Sequence, residues 1–93
     1  EQEFENTHSF NFEKDPKLIE IFEEDLDPKR ILRDLSLRQS KKIEITKDLM
    51  IFDEIQYCPK ALTSLKYFQE DLPDSYLCAA GSLLGIYLAP VSF

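Results

Sequence analysis

From His8 to Glu13 apolar and polar side chains alternate, with Phe10 and Phe12 set between Ser9, Asn11 and Glu13. A period of two predicts a β-strand with one face inward. Asp15-Pro16 comes next and reads as a helix start, Asp15 as the N-cap and Pro16 in the first helical position. Leu18, Ile19, Phe22 and Leu26 then fall on the inward stripe of that helix or its exit. The same device returns at Asp27-Pro28, after which Ile31, Leu32 and Leu35 share one helical face. The residues after the two starts differ too much for these segments to be a repeat.

Ser36–Asp48 is polar and mixed, and reads as a connection with a short extended piece at Ile43–Ile45. Leu49-Met50-Ile51-Phe52 is continuously apolar, as expected of a short strand covered on both faces in a parallel sheet. Pro59 opens another helix, in which Ala61, Leu65, Phe68 and Leu72 recur at helical spacing before Pro73-Asp74 ends it. Tyr76–Ala80 is the last apolar strand and runs into Gly81-Ser82-Leu83-Leu84-Gly85. The order β-α-α-β-α-β predicts an α/β fold: about three parallel strands joined by right-handed helical crossovers. With 2 glycines in the chain, the many tight turns of an all-β fold are not provided for.

Composition narrows the function classes. The 93 residues suit one small domain, and 43% hydrophobic with 12% aromatic content argues for a real core rather than disorder. No apolar run approaches the roughly 20 residues of a membrane span and no secretory signal leads the chain, so a soluble, cytoplasmic protein is expected. The net charge is −7, with 11 acids against 5 bases in residues 1–35. No basic stripe is available to neutralise phosphates, which disfavours nucleic acid as a partner of this segment. Cys58 and Cys78 form no CxxC, and the 1 histidine, His8, completes no zinc-ligand spacing, so free thiols are expected.

Ligands of open α/β sheets gather at the carboxyl ends of the strands. Two features fall there: Asp53-Glu54 after the first apolar run, and Ser82 shortly after the second. An apolar strand closed by two adjacent acids is the Walker B arrangement. Its first acid holds Mg²⁺, often through the water shell, and its second orients the water that attacks a γ-phosphoryl group. Spacing alone leaves a second reading open, in which either acid caps the turn before the Pro59 helix.

The stretch Leu49-Met50-Ile51-Phe52-Asp53-Glu54-Ile55-Gln56-Tyr57-Cys58-Pro59-Lys60-Ala61, continuing to Phe68, resembles the AAA+ ATPases of the AAA_14 type, which usually carry a DUF4143 domain after the ATPase module. Ala79–Gly85 resembles the next signature of that family, and Asn11–Pro16 its second strand and exit. The likeness extends over nearly the whole chain in order. It implies Asp53 as the Mg²⁺-associated acid, Glu54 as the catalytic acid, and Ser82 near the sensor-1 position; a serine capping the following turn is the alternative for Ser82. Gln56 could contact substrate or cap the helix. The resemblance also implies that the three strands correspond to strands 2, 3 and 4 of the AAA+ sheet, which are neighbours there.

The chain departs from the family in one large respect: it contains no G-x-x-x-x-G-K-[ST]. The backbone N–H cradle and lysine that grip a triphosphate are therefore missing from residues 1–93. With no initiator Met and an apolar end at Phe93, the chain reads as an internal piece of a larger ATPase, a partial core of residues 1–93 without its phosphate loop and C-terminal domain. ATP and Mg²⁺ are expected in the intact parent, and tight binding of neither to this piece, which should be inactive alone. The strand at Tyr76–Ala80 would then present an open edge, to be covered by Leu83–Phe93 or used in self-association. Two other classes remain. A non-enzymatic interaction module could be built on the acidic residues 1–35. A phospho-accepting receiver would use Asp53 and Ser82, but lacks the acidic pair and the lysine such switches need.

Overall fold

The computed structural model describes residues 4–82 and 89–90. Strand β1 (Thr7–Asn11) leads to helices α1 (Leu18–Glu24) and α2 (Pro28–Gln39). Strand β2 (Leu49–Asp53), a 3-10 turn (Ile55–Tyr57), helix α3 (Pro59–Asp71), strand β3 (Tyr76–Ala79) and the short strand β4 (Ala89–Pro90) complete the order. The sheet order is β1-β2-β3-β4. The first three strands are parallel and in sequence order, with Thr7 opposite Leu49 and Leu49 opposite Tyr76. The α/β architecture read from the hydrophobic pattern is the one observed, an arrangement consistent with part of a P-loop nucleotide-hydrolase fold.

One face of the sheet makes the core. His8, Phe10, Met50, Phe52, Leu77 and Ala79 are buried on it, and Leu18, Phe22, Ile31, Leu35, Ala61 and Phe68 of the helices join it. Phe52 is the centre, with the rings of Phe10, Phe12, Phe22 and Phe68 edge-on to it at 6.4, 5.7, 5.6 and 6.1 Å. That geometry sets positive ring edges against the negative faces of neighbours. The alternate positions tell against the expected strand covered on both sides: Leu49 and Ile51 are only half-buried, as are Tyr76 and Cys78. A continuous apolar run cannot distinguish a strand sealed on two faces from one sealed on a single face. The packing of Phe4 edge-on against Tyr76, centroids 5.0 Å apart, shields part of this second face.

Several boundaries move for identifiable reasons. Strand β1 stops at Asn11, where the side-chain carbonyl accepts the N–H groups of Glu13 and Lys14, both at 2.9 Å, and turns the chain. Asp15 is not the cap of α1, which begins at Leu18 behind Lys17 without a side-chain cap. Its carboxylate is held by Arg38, through Nε at 2.8 Å and Nη2 at 2.6 Å, in a two-pronged ionic pair. At the second start the expectation holds. Asp27 accepts Lys29 N–H at 3.2 Å and Pro28 opens α2.

Helix α2 runs on through Ser36 to Gln39, past the point where polarity suggested a loop, and no strand forms at Ile43–Ile45. The exit is made by Ser40 in the left-handed region (φ 58°, ψ 34°), with the Ser40 and Lys41 N–H groups returning to Leu37 O and Ser36 O. The α1–α2 junction is tied by Arg30, 8% exposed, whose guanidinium donates to Asp25 Oδ1, Asp34 Oδ2, and the carbonyls of Ile21 and Asp25 at 2.6–2.8 Å. Satisfying the donors in this way is what makes a nearly buried cation tolerable.

The edge of β3 is paired antiparallel with β4, Cys78 opposite Pro90 and Ala79 opposite Ala89. Part of the Leu83–Phe93 segment thus lies where an open edge was expected. Residues 83–88 and 91–93, which include Leu83-Leu84-Gly85 of the third motif, lie outside the described residues. No helix among the described residues is long and apolar enough to cross a membrane.

Candidate functional site

Asp53 closes β2 and Glu54 succeeds it at the carboxyl end of the sheet. Glu54 is held in the left-handed region (φ 51°, ψ 47°). A β-carbon is disfavoured there by about 1–2 kcal/mol, so the conformation has to be imposed by bonds around it. Those bonds are visible. The Asp53 carboxylate accepts Glu54 N–H at 2.9 Å, and the next N–H, of Ile55, crosses to Ala80 O at 3.0 Å. Ala80 N–H returns to Phe52 O at 3.0 Å, so the segment after β3 is laced to the segment after β2. On the other side Phe12 N–H donates to Asp53 O at 3.0 Å.

This lacing brings Ser82 to Glu54. The Ser82 hydroxyl and backbone N–H donate to Glu54 Oε1 at 2.9 and 3.2 Å, and Gln56 Nε2 donates to the same oxygen at 2.7 Å. The Gln56 amide, then the Ser82 N–H and hydroxyl, lower the Glu54 carboxyl below its ordinary range, outweighing a smaller opposing effect of partial burial. Glu54 is therefore a carboxylate at neutral pH. Its three bonds share one oxygen, and the other carries none of them. Next to it, Tyr57 Oη lies 3.4 Å from Glu13 Oε2, and the negative charge of Glu13 raises the phenol.

Of the residues singled out in the sequence, Glu54 and Ser82 meet directly, while the Asp53 side chain turns to its neighbour's N–H. Gln56, for which two roles stood open, donates its side-chain amide to Glu54. The signal available for it was its place two residues beyond the acid pair, where a 3-10 turn folds it back. The backbone strain at Glu54 had no signal, since no glycine or asparagine marks the position.

Two other features bear on chemistry. His8 and Asp48, both buried, are bonded Nε2 to Oδ2 at 2.8 Å. Gln39 Nε2 donates to Lys41 O at 2.8 Å and lies 2.9 Å from His8 Nδ1. The amide orientation makes Nδ1 the acceptor and leaves the Nε2 proton for Asp48. The histidine is thereby occupied in holding the start of β2 to β1. Both cysteines are free, and burial raises both thiols.

Parallel strands in sequence order, with Asp53 and Glu54 at the carboxyl end of β2, put these acids where open α/β sheets bind their ligands. The chain belongs to the AAA_14 family of AAA domains, whose profile matches residues 1–92. It is an AAA-type, ATPase-related domain. No curated protein and no solved structure is a significant match to it.

Proposed function

We propose that these residues form the Walker B and sensor-1 portion of an AAA-type ATPase that hydrolyses ATP when a phosphate loop from a preceding segment is joined to it. The reading rests on one observation: Glu54, ionised and strained, is bonded to Ser82 across the mouths of two parallel strands. Glu54 is the catalytic acid, accepting a hydrogen bond from the attacking water and orienting it. Ser82 holds that carboxylate in place and senses the terminal phosphate. The Asp53 carboxylate, at the end of β2, is the metal-side acid.

Among the described residues no group of three or more His, Cys, Asp or Glu could hold a metal ion by itself. The single Asp53 carboxylate at the end of β2 is the kind of donor that suits Mg²⁺, which takes one or two carboxylates and completes its shell with phosphate and water. Bound there, Mg²⁺ would supply charge neutralisation of the phosphates. The DUF4143 portion and the arginine finger are assigned to segments beyond residues 1–93.

The test is ATP turnover by the full-length protein carrying Glu54→Gln. Hydrolysis should fall by about 10²-fold or more while nucleotide affinity is kept, the pattern of an interaction used only in the transition state. Unchanged turnover would remove Glu54 from this role.

A further inference from the structure

We infer that the outer face of α2 is a docking groove for an acidic, amphipathic helical segment of a partner protein. Lys29, Leu32, Arg33, Ser36 and Leu37 fall at i, i+3, i+4, i+7 and i+8, so they form one stripe of the helix, with Ser40 at its C-cap. With Lys41, Lys42 and Ile43 they line a groove of about 640 Å³. The floor is apolar, and Leu37 stands 70% exposed, the largest exposure among the large hydrophobic side chains that face solvent. Every charged residue on the walls (Lys29, Arg33, Lys41 and Lys42) is basic.

This is a local reversal of sign in a chain whose net charge is −7. Beyond Leu37 the neighbouring groove is of mixed charge, with Glu20, Glu24 and Asp34 among Lys17, Arg30 and Arg38. Two of the bases have nearby acids, Arg33 with Asp34 at 3.4 Å and Lys42 with Glu44 at 3.5 Å, but both are exposed pairs that exchange readily for another carboxylate. Lys41 donates to Asn6 Oδ1 at 3.2 Å, which places this end of the groove beside the start of β1, at the opposite end of the sheet from Glu54. The groove is thus separate from the acid pair.

The chemistry selects the occupant. Leucine floor and basic rim match a helix with apolar anchors at i, i+3, i+4 and i+7 and carboxylates flanking them. Nucleic acid fits less well, because no aromatic lines the groove to stack bases and the surrounding chain is acidic. Complementary charge would set orientation and encounter rate, and Leu37 would be the anchor.

Fluorescence anisotropy with a labelled designed helix decides it. The probe has about 16 residues, leucines at i, i+3, i+4 and i+7, and glutamates on both flanks. The 93-residue chain should bind it saturably, more weakly as salt rises from about 0.05 to about 0.5 M. Leu37→Ser and the pair Lys41→Glu with Lys42→Glu should each weaken binding about tenfold. These side chains are exposed, and circular dichroism of each variant checks that the fold is kept. Failure of the probe to bind, equal binding of a scrambled or lysine-flanked peptide, or no effect of the variants overturns the proposal. So does tighter binding to an oligothymidylate of equal charge or to anionic lipid vesicles.

Discussion

The Ser82 hydroxyl reaches Glu54 Oε1 at 2.9 Å from 28 positions away in the sequence. The contact exists because β2 and β3 are adjacent and parallel, so the residues just beyond their carboxyl ends become neighbours. It joins the two positions on which the ATPase reading depends, and it does so within residues 4–82.

The ionisation of Glu54 can therefore be tested in this chain without nucleotide. Gln56 makes the largest contribution to its lowered carboxyl, ahead of the Ser82 backbone and hydroxyl. Carbon-13 NMR titration should find Glu54 below an ordinary glutamate. Gln56→Ala should move the midpoint upward more than Ser82→Ala, which leaves the Ser82 N–H bond in place. A midpoint indifferent to both changes would mean that these contacts do not form in solution.

The His8–Asp48 pair predicts acid sensitivity. Burial pushes the Asp48 carboxyl up, but the His8 bond, the Glu44 N–H and the Asn6 side chain together bring it below its ordinary 3.8. A carboxyl depressed by folding leaves the folded state with fewer protons than the unfolded one. Its stabilisation is complete above the ordinary carboxylate value and is lost as pH falls through the folded one. Asp48→Ala should cost about 2–3 kcal/mol at neutral pH, because the His8 and Glu44 donors lose their acceptor. Urea melts of the parent chain from pH 6 down to about pH 3 should show falling stability, and the variant should show a shallower decline.

Phe52 carries the core. It is fully buried and touches four other rings. Phe52→Ala should cost about 3–5 kcal/mol, enough to unfold much of a domain this small. Phe52→Leu should lose less. A midpoint of chemical unfolding unmoved by Phe52→Ala would contradict the packing described.

Ser40 gives a change of opposite sign. It ends α2 in the left-handed region without being glycine. Ser40→Gly removes the β-carbon penalty and should raise stability by about 0.5–1 kcal/mol. Glu54, the other non-glycine at positive φ among the described residues, should not respond in the same way, since its side chain is anchored by three bonds. A destabilised Ser40→Gly would show that the serine side chain matters to this turn.

Much of the architecture was legible from periodicity and punctuation. Phe10 within a strand, Asp27-Pro28 at a helix start and Leu49–Phe52 as a strand appear where local rules put them, while Phe12 falls in the turn just after β1. Asp15-Pro16 shows the limit. Its local signal is the same as that of Asp27-Pro28, yet Arg38, 23 positions on, captures the carboxylate. The family likeness was readable in the three motifs and agrees with the profile match over residues 1–92. Neither the half-open second face of the sheet nor the buried Arg30 hub had a sequence signal.

By itself the sequence determined the alternation of strands and helices, the acid pair after Phe52 and the absence of a phosphate loop within these residues. Those come from side-chain periodicity and residue identity, which are local. Only the tertiary structure decided that Gln56 and Ser82 converge on Glu54, that His8 is spent on Asp48, and that the bases around Leu37 line one groove. Each of these depends on which strand lies beside which and how far α2 extends, and pairings of that kind are made by the packing of the whole core rather than by neighbours in the chain.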